Sequence, residues 1–213
     1  MKKVSFALTT AVAALMLTGC VSSKYEYTPP KKQQHQIFEK QANIPYEKAW
    51  SNIVANLSKD LFVVNNMDKN SGFINADFSV ENPSQYVDCG VWQGHFKNLR
   101  GSASYYHLGA DSRNVTRDDP YLGGVNTMIE TSLSGKINIL LQRAGNNQSK
   151  MSVNIKYVLM GHQKDLPFGY IISQNQDWNV NFSSNSAGRS SGGGQTQCIS
   201  KGIIEKQILN YIN

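Results

Sequence analysis

Hydrophobic and polar positions alternate along most of this 213-residue chain, and the period changes at few places. After Ile44-Pro45, the residues Tyr46, Ala49, Trp50, Ile53, Val54, Leu57 and Leu61 recur at steps of three and four, which predicts an amphipathic helix with Pro45 in its first turn. Leu61-Phe62-Val63-Val64 then has strand composition, and Asp68 to Gly72 reads as a turn. From Phe73 to Val80 the period is two, with Ile74, Ala76, Phe78 and Val80 on one face. The same period runs through Met128–Leu141, Met151–Leu159 and the stretch around Asp177–Phe182, with a turn at Ala144 to Asn147. Such alternation indicates an antiparallel sheet with one solvated face. Beyond Gly192-Gly193-Gly194, the residues Ile203, Ile204, Ile208, Leu209, Tyr211 and Ile212 form a second helical stripe, with Glu205 near its positive end. The expected fold is therefore α+β, an antiparallel sheet covered by an N-terminal and a C-terminal helix. Residues 92–125 lack a clear core period and are expected to be an insertion.

The first twenty residues have another character. Two lysines precede an apolar run from Val4 to Leu17, shorter than the roughly 20 residues that span a bilayer, and small residues follow. This is the layout of a secretory signal over residues 1–19. Its end, Leu17-Thr18-Gly19-Cys20, resembles the lipobox of bacterial lipoproteins, which implies cleavage before Cys20 and acyl chains on that residue. Val21 in the next position resembles the pattern of lipoproteins released to the outer membrane, which implies a site on its periplasmic side. Residues 20–42, with Pro29-Pro30 and a run of lysine and glutamine, read as a flexible tether. Residues 43–213 then form a single periplasmic domain.

Export changes the reading of the cysteines. With Cys20 acylated, Cys89 and Cys198 remain as an even pair in an oxidising compartment, and a disulfide is the economical expectation. It would close a loop of roughly a hundred residues, which chain entropy values at about 4 to 5 kcal/mol. Two isolated cysteines lack the spacing of a tetrahedral zinc shell, so a metal centre is not expected.

Charge adds little. The 21 basic residues fall to 19 with the loss of Lys2 and Lys3, against 15 acidic ones, and they are dispersed, which disfavours a nucleic-acid partner. His35, His95, His107 and His162 show no metal-ligand spacing, and no H-E-x-x-H, G-x-S-x-G or P-loop pattern is present. The glycine-rich 188–194 stretch lacks the Lys-Ser/Thr pair of a phosphate loop. No cofactor is expected, and an enzyme would need a convergent set such as His107 with Asp118 or Asp119. The residues best suited to a specific contact are Trp92, Phe96, Tyr105, Tyr106, Arg113, Arg117 and Tyr121, because aromatics and arginines dominate binding hot spots.

Tyr46-x-x-Ala49-Trp50, Ser71-Gly72-Phe73-Ile74, Val87-Asp88-Cys89-Gly90 and Cys198-x-Ser200-x-Gly202-x-x-Glu205 together resemble a group of proteobacterial lipoproteins. More loosely, the helix–strands–helix order is similar to the helix-grip domains of a lipoprotein component of the outer-membrane β-barrel assembly machine. That resemblance implies an accessory or structural subunit of an envelope assembly, anchored by its acyl chains and contacting an envelope protein. The rival expectation is a lipid- or glycan-binding module.

Overall fold

The computed structural model describes residues 22–31, 36–60, 62–98, 101–119, 123–167, 174–191 and 195–213. Cys20, Tyr121 and the glycine run at 192–194 lie outside them. The elements are, in chain order, β1 (Ser22–Thr28), β2 (Glu39–Ala42), α1 (Tyr46–Leu57), β3 (Val63–Asp68), β4 (Phe73–Val80), β5 (Val87–Asp88), β6 (Val91–Asn98), β7 (Gly101–Leu108), β8 (Arg113–Asp119), β9 (Gly123–Gly145), β10 (Gln148–Pro167), β11 (Gln174–Ser183), β12 (Gly188–Arg189), β13 (Gln197–Ser200) and α2 (Ile203–Leu209), which a 3₁₀ turn over Asn210–Ile212 extends.

The frame is the β9–β10 hairpin, whose strands of 23 and 20 residues pair from Gln148 opposite Gly145 to Pro167 opposite Val125. The sheet runs β11-β10-β9-β4-β3, with β2 added to β10 and β8 added to β9. Along β9, β4 pairs with residues 133–140 and β8 with residues 123–129, so two strands share one edge end to end. The period of two explains the core. Leu133, Ile137, Ile139 and Leu141 of β9, Met151, Ile155, Tyr157 and Leu159 of β10, Ile74, Ala76 and Phe78 of β4, and Val180 and Phe182 of β11 are all buried on one face. Asn75, Asp77, Lys136, Asn138, Asn154 and Lys156 alternate with them and are exposed or half-buried.

Both helices cover the apolar face. α1 buries Ala49, Trp50, Ile53 and Leu57, while α2 and the turn after it bury Ile204, Ile208, Leu209, Tyr211 and Ile212. The Pro45 carbonyl accepts from the Ala49 N–H at 3.0 Å, which starts α1. The helix ends at Leu57, one turn before the apolar stripe does. The α+β class and the single solvated face are as the alternation implies.

One expectation needs correction. Residues 20–42 are not a continuous tether, because β1 and β2 within that range are paired strands, β1 with β6 and β2 with β10. The polar context hides their pattern: Tyr25 and Tyr27 alternate with Lys24 and Glu26, which suits a strand with one wet face. Within 92–125 the described residues form β6, β7, β8 and the start of β9, so the range that lacks a core period is built of regular strands. The core period is missing along β6 and β7 because they pair in a separate sheet outside the core.

Candidate interaction surface

Val87-Asp88-Cys89-Gly90 makes a sharp corner. The sulfurs of Cys89 and Cys198 are bonded at 2.01 Å, across 109 residues of chain. Asp88 Oδ1 accepts from the Gly90 N–H at 2.9 Å, and Gly90 has φ of 69°. A Cβ there would stand 2.3 Å from the Thr28 carbonyl oxygen, so only glycine allows β1 this close. The Gly90 carbonyl accepts from the Gly109 N–H at 2.8 Å, which closes the base of the β6–β7 hairpin. On the other side of the disulfide, β13 pairs Ile199 with Asp88 and Ser200 with Val87.

Tyr27 ties β1 to this corner. Its hydroxyl accepts from the Gln197 N–H at 2.7 Å and donates to the Cys89 carbonyl at 3.0 Å, with the Gln197 carbonyl at 3.2 Å as the other acceptor. Burial pushes the Tyr27 phenol above its usual value, and the Gln197 N–H acts against that rise. The ring lies 4.7 Å from Trp92, centroid to centroid.

From this root a separate three-stranded sheet extends, in the order β1-β6-β7. Its register gives it two unlike faces. Tyr27, Trp92 and His107 stand in one row, and Tyr25, Gly94 and Tyr105 hold the next row positions on the same face. Tyr105 lies over Gly94, where a Cβ would be 2.0 Å from its ring. Glycine is thus the missing member of the apolar period. His107 packs 5.5 Å from Tyr105. Burial first, and then the charge of Arg113, holds its imidazole below the usual value.

The opposite face is wet. It carries Lys24, Glu26, Gln93, His95, Ser104 and Tyr106, all exposed. Lys24 pairs with Glu26 and holds its carboxyl below the usual range, and His95 Nδ1 lies 2.9 Å from Ser104 Oγ. Tyr106, at 59% exposure, and Leu108 are the large apolar groups on this side.

The predicted hot-spot residues therefore do not form one patch. Trp92 and Tyr105 share the aromatic face, and the register puts Phe96 at a position on that face too. Tyr106 is on the other face, because sequence neighbours in a strand point to opposite sides. Arg113 opens β8, its guanidinium donating to the Asp111 carbonyl at 3.2 Å, and Arg117 is opposite Val125 in the large sheet. Tyr121 and the lipidation candidate Cys20 fall outside the described residues. Tyr27 was missed by sequence reasoning; its one signal is the alternation with Glu26 and Lys24.

Two polar clusters lie elsewhere. His162 Nδ1 is 2.6 Å from Asp177 Oδ1, in a cleft of ≈ 430 Å³ lined also by Glu130, Ser132, Trp178 and Asn179. Beneath α2, Ser200 Oγ accepts from the Gly202 N–H at 2.9 Å, donates to Glu205 Oε1 at 3.0 Å and lies 3.3 Å from the Tyr157 hydroxyl. Glu205 is fully buried, and burial together with its charge pushes the Tyr157 phenol up. Cys-x-Ser-x-Gly-x-x-Glu is thus a device that starts a helix against the core. Among the described residues no three His, Cys, Asp or Glu side chains could together hold a metal ion, and no helix is long and apolar enough to cross a membrane. No family model, curated protein or solved structure matches this chain.

Proposed function

We propose that the protein is a non-enzymatic, lipid-anchored accessory or structural subunit of a cell-envelope assembly, held at the periplasmic side of the outer membrane by acyl chains on Cys20. One observation carries the reading. The β1–β6–β7 sheet stands outside the core, is fixed at its root by the Cys89–Cys198 bond and Tyr27, and exposes Tyr106 and Leu108 amid polar side chains. An amphipathic Tyr within a polar rim is the composition of a protein contact. Two helices on one face of an antiparallel sheet support a helix-grip-like arrangement for the body.

The test is a photo-crosslinking residue at position 106 in intact cells, with a second at position 154 on the solvated face of the large sheet. A discrete envelope protein joined at 106 and not at 154 is the expected result. Equal, diffuse adducts at both positions would remove the contact surface. A second reading, a glycan-binding module, is favoured by the cleft on the solvated sheet face, where Glu130, His162, Asp177 and Asn179 set hydrogen-bonding groups together. Glycan co-purifying with the wild type and lost with Asp177→Ala would put that reading first.

A further inference from the structure

We infer that the free end of the β1–β6–β7 sheet is seated on phospholipid headgroups, so that this sheet is a rigid strut between the bilayer and the core. The inference rests on the proposal that Cys20 is acylated, and it concerns where the anchored domain touches the membrane. Its first support is the register: Ser22 is opposite Lys97, and Thr28 is opposite Val91. β1 therefore begins at the tip of the β6–β7 hairpin and ends at the disulfide root.

The second support is chain length. Cys20 precedes Ser22 by two residues. A fully extended chain covers about 3.3 to 3.6 Å per residue, so the tip of the hairpin lies within roughly 7 Å of the acylated residue. A flexible tether over residues 20–42 would instead have given a root-mean-square reach of about 25 Å, at about 5 to 6 Å times the square root of its length. From Ser22 to Thr28 the strand rises about 3.3 Å per residue, which holds the core roughly 20 Å farther out. Its root cannot swivel freely, because Tyr27, Gly90 and the disulfide fix it to β13.

Surface chemistry is the third. The tip of the wet face presents Lys24, whose side chain is 71% exposed, beside His95 and Ser104. The Lys24 ammonium, which also pairs with the neighbouring Glu26 carboxylate, can donate to a lipid phosphate. On the other face Tyr105 is half-buried midway along the strands, and Tyr is a residue type enriched where a protein meets the membrane–water interface, whereas Trp92 is opposite Tyr27 at the root.

The experiment is covalent lysine labelling, read by mass spectrometry. The acylated full chain in phosphatidylethanolamine and phosphatidylglycerol vesicles is compared with the soluble Cys20→Ser form. Lys48 on α1 and Lys156 on the solvated sheet face serve as references on opposite sides of the core. The expected result is loss of Lys24 labelling on vesicles with Lys48 and Lys156 unchanged, and recovery of Lys24 when a Gly/Ser spacer is inserted between Val21 and Ser22. Lys24 that stays as reactive on vesicles as in solution, on a chain whose N-terminal peptide carries the acyl mass, overturns the strut alone. Protection in cells without protection on vesicles also overturns it, because a protein would then cover the tip. An N-terminal peptide without acyl mass overturns the strut and the lipoprotein reading together.

Discussion

Gly161 and Trp178 are directly opposite each other in β10 and β11, and a Cβ on Gly161 would stand 2.1 Å from the indole. Gly135 opposite Phe78 and Gly94 opposite Tyr105 repeat the arrangement. In each, an aromatic ring folds over a glycine that would otherwise weaken the strand. Gly161→Val is expected to destabilise the fold by about 1 to 3 kcal/mol through overpacking, read as a lower urea midpoint with an unchanged slope. His107 supplies a pH dependence. Its folded-state pKa lies below the unfolded value of 6.5, so the unfolded chain takes up the proton first. Stability from this source is complete above about pH 6.5 and is lost as the pH falls through the lower folded value. Arg113 opposes protonation and Asp111 favours it. The imidazole is largely hydrated, so the effect should be small, and its loss in His107→Gln would identify the group. None of this was legible one residue at a time, since a glycine's ring partner depends on strand register.

At the scale of elements, β1 shows what a single hydroxyl can hold. Tyr27→Phe leaves the Gln197 N–H and the Cys89 carbonyl without their partner at a partly buried site, a cost of about 1 to 3 kcal/mol. The expected signature is faster amide exchange along β1 and β6 while β9 and β10 keep their protection. Uniform acceleration across all strands would show that the root and the core unfold together. α2 makes the complementary point. Seven residues are too few for an isolated helix, so its start depends on Ser200, Gly202 and Glu205 beneath it. The stripes of α1 and the alternation of β4 and β10 were legible because burial on one face imposes a period. β1 was not, because its partner strand begins 63 residues beyond its end.

For the molecule as a whole, the disulfide is the long-range constraint. Its 109-residue span encloses β6 to β12. Reduction is expected to lower stability by about 4 to 5 kcal/mol on the chain-entropy account, measured as the shift between urea transitions with and without reductant. Reduction without any shift would mean that the corner is held by β5–β13 pairing and packing alone. Because β6, β7 and the root of β1 adjoin Cys89, the strut should loosen before the β9–β10 hairpin does.

By itself, the sequence determined the α+β class, the two covering helices, the wet face of the large sheet and the pairing of Cys89 with Cys198. Each follows from a local rule: a burial period, a helix stripe, or the parity of the two cysteines that remain once Cys20 is set aside. Only the tertiary structure decided that β1 is a strand, that the aromatic and polar residues of β6 and β7 separate onto two faces, and that Glu205 is buried beside Tyr157 and not solvated at a helix end. The physical reason is common to all three. They depend on which distant segments meet, and the register or packing between such segments is set by one hydroxyl, one glycine or one buried carboxyl, features that leave no period in the sequence.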